Sequence, residues 1–299
     1  MRGGGRRGRG GTQGRRPSPT RGLWRTFALA VVLLGLLAYV FRPGRGPGAA
    51  TEVAPGSAPA GVDRLFLPTG PSDQVVDHAH YSLGYEEAWE QARWVAYRLT
   101  PAQLSGRRVG RSDDFRADPA VRSGSATRDD YRRSGYTRGH LAPAGDMAFA
   151  ERAMSESFLL SNVSPQRAAL NGGVWRELEE ATRDWVRAKG PTYVVTGPLV
   201  GADAGSIGAN AVAVPHAFYK VLLTESGEGI GFVVPHARQT EPLGAFARTI
   251  DEVELAAGLD FFPELDTLAT PAVESRLDPD AWPLNEARYR RRLEHWNHR

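Results

Sequence analysis

The chain begins with a segment that cannot form a packed core, and this confines any folded domain to the sequence that follows. Residues 1–48 contain ten Arg, many Gly, and no Lys, Asp or Glu. Such a composition buries too little apolar surface to offset the entropy lost on ordering, so residues 1–22 are predicted to be a disordered basic leader. Residues 42–62 are rich in Pro, Gly and Ala and are predicted to be a flexible linker.

An apolar run separates the basic leader from this linker. Residues 27–41 carry no charge, and together with Leu23 and Trp24 they approach the roughly 20 residues that span a bilayer. Seven arginines precede the run, whereas only Arg42 and Arg45 closely follow it. The length of the apolar run predicts a transmembrane helix at 23–41 that contacts the lipid bilayer. The excess of arginines before it predicts, by the positive-inside rule, that the N-terminus lies in the cytoplasm.

The rest of the chain then lies outside the cytoplasm, as a single-pass membrane protein. The competing interpretation is a cleaved signal peptide, because residues 48–50 are small enough for a cleavage site, and the protein would then be secreted. In either case about 230 residues remain, which is ample for one domain and could make two. We assign the domain to residues 63–275 and a basic C-terminal tail to residues 276–299.

Charge is distributed unevenly between the leader and the rest of the chain. The whole chain has a formal net charge of +3, but without the ten arginines of residues 1–48, 27 basic residues face 34 acidic ones, so the rest carries about −7. A protein with this balance can bind nucleic acid only through a local cluster of basic residues. Residues 107–138 hold nine Arg interleaved with five Asp and are the candidate, although they could equally form a solvated loop with surface ion pairs.

Periodicity and turn residues predict the elements of the domain. A helix followed by a strand is expected over residues 86–99, an irregular loop over 104–135, and an amphipathic helix from Trp175 to about Lys189. Short runs rich in Val, Tyr and Phe predict strands, and two short helices are expected after them. The strands are expected at residues 192–196, 211–214, 217–223 and 230–234, and the helices at 242–249 and 251–257. Strands that are segregated from helices indicate an α+β fold.

The stretch most informative about function is residues 134–143. Arg138 and His140 are two residues apart, beside Gly135 and Gly139. A guanidinium offers a planar donor fork for phosphate, and neutral imidazole can accept a proton from water near neutral pH. This pairing suits hydrolysis of a phosphodiester.

A second block follows over residues 160–179. It contains Asn162, then Asn171 at the start of the predicted amphipathic helix, and Glu179 about two turns later, so Asn171 and Glu179 could face one cleft. From the residues alone, Asn171 could equally be a helix N-cap, and Glu179 could be a solvated helix residue.

Taken together, the two blocks resemble the DNA/RNA non-specific endonucleases, the ββα-metal family. The resemblance covers most of residues 70–265 and includes the stretches 80–83, 94–99, 196–198 and 218–220. It implies an antiparallel sheet flanked by helices, with a ββα-metal motif on one face. The family motif usually reads Asp, Arg, Gly, His, and here its first position is Thr137, which has no carboxylate.

The resemblance also implies roles for individual residues. His140 is expected to be the general base, and Asn171 the ligand of one divalent metal ion, Mg²⁺ or another such as Mn²⁺. Arg138 is expected to take part in catalysis and to bind the substrate phosphate, with Arg111 as a second phosphate contact. The implied substrates are DNA and RNA, cut with little sequence preference.

Two further positions match the family pattern. Asn162 is expected in the substrate-binding network, and Glu179 among the catalytic residues that support the metal and its waters. The absence of Cys excludes disulfides and thiolate ligands. The oligomeric state is open, and a homodimer is one possibility.

Thr137 motivates a second hypothesis about function. The chain could be a catalytically impaired nucleic-acid-binding protein of the same fold at the cell surface. A structural envelope protein with coincidental motifs is the third interpretation. Metal-dependent cleavage of DNA distinguishes the enzyme from both.

Overall fold

The computed structural model describes residues 64–265 and 268–297. The basic leader, the predicted span at 23–41 and the whole linker at 42–62 lie outside these residues. Within the two described ranges, no helix has the length and apolar character needed to cross a bilayer.

Strands and helices alternate irregularly along the described residues. The strands are β1 Gln74–Asp77, β2 Ser82–Glu86, β3 Gln91–Leu99, β4 Thr137–His140, β5 Val163–Gln166, β6 Thr192–Leu199, β7 Ser206–Ile207, β8 Val212–Ala213, β9 Ala217–Thr224, β10 Gly229–Pro235 and β11 Ala247–Arg248. The α-helices are α1 Pro101–Ser105, α2 Arg128–Tyr131, α3 Glu151–Glu156, α4 Ala168–Asn171, α5 Val174–Lys189, α6 Ile250–Ala257, α7 Pro271–Glu274 and α8 Glu286–Asn297. Short 3₁₀ turns occur at Arg64–Phe66, Glu87–Trp89, Leu160–Asn162, Leu243–Phe246 and Pro279–Ala281.

Seven of the strands form one antiparallel sheet in the order β1-β2-β3-β6-β9-β10-β11. Every residue of β6 and β9 is buried, because helices cover both faces of the sheet. Trp175 and Trp185 of α5 pack on one face, and Ile250 and Val253 of α6 pack on the other. The predicted α+β fold with an antiparallel sheet and flanking helices is confirmed.

Strands β4 and β5 form a separate two-stranded sheet that leads into α5. The connection between them contains α3, and we call this pair of strands the hairpin. Strands β4 and β5 pair antiparallel, with Arg138 opposite Pro165 and Gly139 opposite Ser164. The short helix α4 and then α5 follow β5 directly, so β4, β5 and α5 form a ββα unit, with α4 between β5 and α5. The amphipathic helix predicted to end near Lys189 is α5, and the four predicted strand regions correspond to β6, β8, β9 and β10.

The helix predicted at the start of residues 86–99 is wrong. A single 3₁₀ turn, Glu87–Trp89, stops at Glu90, which has a left-handed conformation with φ of 53°. The chain then continues as β3 between β2 and β6. The alanines and aromatic residues fit a helix and a strand equally well by spacing, and pairing with two neighbouring strands decides for the strand.

Two other predictions need correction. The predicted helix at 242–249 is a 3₁₀ turn, Leu243–Phe246, followed by the short strand β11, whereas the helix predicted at 251–257 is α6. The predicted loop at 104–135 is largely irregular but contains the short helix α2.

Part of the C-terminal stretch packs against α5. Trp282 is buried and meets Trp185 edge-on, with 5.3 Å between ring centroids. Along α8, Arg288 Nη2 lies 2.8 Å from Glu177 Oε1, and Arg292 Nη2 lies 2.7 Å from Glu180 Oε2. These arginines of the predicted basic tail therefore pair with acidic side chains of α5.

Candidate active site

Strand β4 places Arg138 and His140 on one side of the hairpin. Side chains alternate along a strand, so residues two apart project from the same face. Both side chains meet the ring of Phe115. Between them, Gly139 faces Gln166, where a Cβ atom would lie only 2.1 Å from the side-chain Cδ. Any larger residue here would have to displace the buried Gln166 side chain.

The imidazole of His140 is held in an aromatic wall. Its ring centroid lies 5.3 Å from that of Phe115 and 4.9 Å from that of Phe158. His140 is 7% exposed, and its buried Nε2 has no hydrogen-bond partner among the described residues. Burial, together with the nearby cations Arg111 and Arg138, lowers the pKa of His140 to about 3, against the opposing effect of Asp113. The imidazole is therefore neutral at physiological pH and able to accept a proton.

Two arginines border this imidazole. The guanidinium of Arg138 lies 4.2 Å from the centroid of Phe115, and within residues 64–265 and 268–297 no carboxylate pairs with it. Arg111 lies 4.8 Å from the ring of Phe158 and is bound at 2.7 Å to Asp113, with both members of the pair about half exposed or more. Arg138 is thus the cation that is free to bind an anion.

Asn171 is oriented by a hydrogen bond from its side chain. Its Nδ2 donates to Thr137 Oγ1 at 2.9 Å, and Thr137 Oγ1 donates in turn to the carbonyl of Gln166 at 2.8 Å. The amide oxygen Oδ1 has no hydrogen-bond partner in the described part of the chain. Thr137, at the position where the family usually has Asp, therefore fixes which end of the Asn171 amide is left for a ligand.

The sequence did not predict how Asn171 sits in the chain. It is the last residue of α4, and α5 begins only at Val174, with Gly173 as its N-cap residue and no side-chain cap. A Cβ at Gly173 would lie 2.3 Å from the carbonyl oxygen of Ala169, so the backbone passes too closely for any other residue. Asn171 is therefore not the N-cap of the long helix, and it ends a separate short helix before the predicted one begins.

The structure nevertheless brings most of the predicted site residues together. A cleft of about 580 Å³ is lined by Arg111, Arg138, His140, Asn171 and Glu179, and we call it the catalytic cleft. The residues come from the loop before α2, from β4, from α4 and from α5.

Asn162 is placed differently. It is completely buried and does not line the catalytic cleft. Its Oδ1 accepts from the backbone N–H of Ala142 at 2.8 Å, and its Nδ2 donates to the carbonyls of Ala142 and Ser157 at 3.0 and 2.8 Å. Asn162 therefore fixes the chain just after His140, and this placement does not favour a direct contact with substrate.

Several charged groups near Glu179 were not singled out from the sequence. Arg183 Nη1 donates to Asp146 Oδ1 at 2.7 Å, and Tyr97 Oη donates to Asp146 Oδ2 at 2.8 Å. Burial raises the pKa of Glu179 to about 7, with Arg183 and Lys220 acting against this rise and Asp146 adding to it. The carboxyl group is therefore poised between its neutral and charged forms.

Lys220 is the most unusual of these groups. It is fully buried in β9, and no residue in the part of the chain that the structure describes forms a hydrogen bond with its Nζ. The ammonium lies 5.4 Å from the ring of Trp175 and 6.0 Å from that of Tyr97, and burial lowers its pKa to about 8. A lysine within a strand otherwise rich in Phe, Tyr, Val and Leu was the available signal, because lysine is rarely buried without a reason.

The residues of the cleft fit a hard divalent cation. Within the described ranges no group of three His, Cys, Asp or Glu could enclose a metal ion. The fit instead comes from the unpartnered Oδ1 of Asn171 and the carboxyl group of Glu179, since Mg²⁺ takes oxygen ligands and commonly keeps several waters.

A buried neutral imidazole, an unpaired guanidinium and an oriented amide oxygen in one cleft are features of a phosphodiester-cleaving site. The chain belongs to the DNA/RNA non-specific endonuclease family, whose model matches residues 62–268. This confirms the resemblance stated from the sequence and the enzyme class that it implied, a hydrolase that cleaves nucleic acids.

Individual relatives agree with this assignment. Mitochondrial endonuclease G of Homo sapiens is 39% identical over 209 residues, which cover 64% of this chain and 70% of the relative. Mitochondrial nuclease EXOG of Xenopus laevis is 37% identical over 216 residues, covering 64% and 58% respectively. A crystal structure of the EndoG/EndoGI complex, concerned with EndoG inhibition, is similar with a TM-score of 0.62 and 32% identity, covering 68% of this chain and 91% of that one.

Proposed function

We propose that this chain is a divalent-metal-dependent endonuclease that hydrolyses phosphodiester bonds of DNA and RNA with little sequence specificity. The observation that carries the proposal is the convergence of His140, Arg138 and Asn171 in the catalytic cleft. Groups of this kind act on the phosphate and the attacking water. Contacts to the backbone position a nucleic acid without reading its sequence.

His140 would act as general base. Because Nε2 is buried, Nδ1 is the ring nitrogen that can take a proton from a water molecule in the cleft. Burial is the main cause of the lowered pKa of the free imidazole, with further lowering by Arg111 and Arg138, whose charge a bound phosphate anion would offset. General-base assistance typically contributes about 10²- to 10⁴-fold to the rate.

Arg138 would bind the scissile phosphate through charge-assisted hydrogen bonds. Its stacking on Phe115 holds the guanidinium at the cleft without a competing carboxylate. Arg111 would make a weaker contact, because its guanidinium must first share or release Asp113.

Asn171 would hold the metal ion through Oδ1, and Glu179 would bind the waters that remain on the ion. When bound, a divalent cation stabilises the charge that develops on the phosphate and on the leaving oxygen. Thr137 would keep Oδ1 turned toward the ion by occupying the Nδ2 end of the same amide. A hydroxyl at this position can therefore perform an orienting role without a carboxylate, which favours the enzyme over the catalytically impaired binding protein.

The test is cleavage of plasmid DNA and of a single-stranded RNA by the full chain, with Mg²⁺ and with EDTA. We expect cleavage of both with Mg²⁺ and none with EDTA. The His140→Ala variant controls for a contaminating nuclease. Binding of DNA without any metal-dependent cleavage would support the impaired binding protein instead.

We further propose that the catalytic domain faces the extracytoplasmic side of a membrane. The support is the sequence of the leader, the apolar run at 23–41 and the linker at 42–62. This location would keep a nuclease of low specificity away from the genome of its own cell.

A further inference from the structure

A second cleft lies beside the catalytic cleft, and we call it the arginine cleft. It encloses about 1090 Å³ and is lined by Arg111, Arg116, Arg128, Arg132 and Arg138, with Tyr136 among its other residues. This volume exceeds that of most pockets for drug-sized ligands. Arg111, Thr137 and Arg138 line both clefts, so a ligand could extend from one into the other past Arg138.

The charge of the arginine cleft is strongly one-sided. Its five arginines face only two lining carboxylates, Asp113 and Asp129. Three of the arginines are paired: Arg111 with Asp113 at 2.7 Å, Arg116 with Asp114 at 2.7 Å, and Arg132 with Asp129 at 3.3 Å.

Two cations of the cleft have no such partner. Within the described parts of the chain, neither Arg128 nor Arg138 forms an ion pair. The pair of Arg132 with Asp129 is 72% and 79% exposed, and an exposed pair of this kind contributes little and is easily exchanged for another anion.

The arginines extend from a firmly anchored element. Helix α2 begins with a capping box, in which Asp130 Oδ2 accepts from the N–H of Thr127 at 2.7 Å. Asp130 also accepts from Asn210 Nδ2 at 2.8 Å, and Tyr131 Oη donates to the carbonyl of Val163 in β5 at 3.1 Å. The backbone that carries Arg128 and Arg132 is therefore fixed relative to the hairpin of His140.

We propose that the arginine cleft is a substrate subsite, which binds the sugar–phosphate backbone of the nucleic-acid strand that continues past the scissile phosphate. Arg138 holds the phosphate shared by the two clefts, and Arg128 and Arg132 bind phosphates further along the strand. The half-buried Tyr136 offers a ring beside this path on which a base can stack. The inference rests on the proposed nuclease function, because that function identifies the ligand.

The test compares three variants of the full chain: Arg128→Ala, Arg132→Ala and Arg290→Ala. Arg290 is the matched control, because like Arg132 it is an exposed arginine paired with one acid, Glu286, and it lies outside both clefts. Cleavage is measured on a single-stranded oligonucleotide and on bis(p-nitrophenyl) phosphate, a diester with no flanking strand. Binding of the oligonucleotide is measured in EDTA over a range of NaCl concentrations.

The quantity compared is kcat/KM for the oligonucleotide divided by kcat/KM for the small diester. We expect Arg128→Ala to lower this ratio by about fivefold, mainly through KM, and Arg132→Ala to lower it by about twofold. Each variant should reduce the slope of log Kd against log salt by about 0.7, the value for one phosphate contact on a single strand. Arg290→Ala should change neither quantity.

Ratios and slopes for Arg128→Ala and Arg132→Ala that equal those of Arg290→Ala would overturn the subsite. The binding slope decides this without any cleavage. Cleavage by the unmodified chain decides the nuclease function separately, so failure of one can be told from failure of the other.

Discussion

Replacing His140 by Gln should make the stability of the protein less dependent on pH. The folded pKa of His140 is about 3, whereas an exposed histidine has a pKa of about 6.5. Because the folded value is the lower one, the unfolded chain binds more protons between these limits. The stability due to the neutral buried imidazole is therefore complete above about pH 6.5 and is lost as the pH falls toward 3.

The size of the effect follows from the distance between the unfolded pKa and the working pH. At about pH 5 the unfolded histidine is protonated and the folded one is not. The free energy of unfolding is then lowered by about 1.36 kcal/mol for each of the roughly 1.5 pH units between the unfolded pKa and pH 5. The unmodified chain should thus lose about 2 kcal/mol through this group between about pH 8 and pH 5. That is a large part of a typical folding free energy of about 5 to 15 kcal/mol.

Urea denaturation of the full chain in EDTA measures this loss. The free energy of unfolding is determined for the unmodified chain and for His140→Gln at both pH values, and the change with pH is compared. Any packing cost of Gln is the same at both values and cancels. His80 and His236, whose pKa values are also lowered by burial, are present in both proteins and cancel as well. An equal loss of stability in the two proteins would refute the buried neutral imidazole.

Four further outcomes test the site and the topology. His140→Ala should lower the turnover by about 10²- to 10⁴-fold while DNA binding persists, because binding depends on arginines; a normal cleavage rate would remove its role as base. Asn171→Ala should raise the Mg²⁺ concentration needed for half-maximal cleavage, and an unchanged titration would exclude a metal ligand. Thr137→Val should also raise the Mg²⁺ concentration needed for half-maximal cleavage, because it removes the hydroxyl that accepts from Asn171. Thr137→Ser keeps a hydroxyl and should titrate like the unmodified chain, so equal titrations for the two variants would contradict the orienting role. Protease added to intact cells, or to spheroplasts where an outer membrane intervenes, should remove the catalytic domain and spare the leader, and full protection of the domain would reverse the proposed topology.

The sequence alone determined those parts of the fold that depend on local pattern. The apolar spacing of Trp175, Leu178 and Trp185 predicted α5, because a helix must present one apolar face to the core. Runs of Val, Tyr and Phe between turn residues predicted the central strands. The candidate site residues Arg138, His140 and Asn171 could also be singled out, because they stand in the two blocks that resemble the family motifs.

Predictions from local pattern were wrong where the secondary structure depends on residues that are distant in the sequence. The segment that became β3 has side chains compatible with a helix, and hydrogen bonds to β2 and β6 made it a strand. The sequence likewise placed Asn171 at the start of the long helix, as a possible N-cap, but Asn171 ends the separate helix α4, and the close approach of Gly173 to Ala169 separates α4 from α5.

The environment of each candidate site residue was decided only by the tertiary structure. The sequence shows a histidine, but its lowered pKa arises from burial between Phe115 and Phe158 and from two arginines, one of them distant in the chain. It shows Thr137 as a missing carboxylate, but the hydrogen bond to Asn171, 34 residues away, shows what the hydroxyl does. The sequence gives the chemical type of each side chain. Its burial, its hydrogen-bond partners and the charges around it depend on residues that only folding brings together.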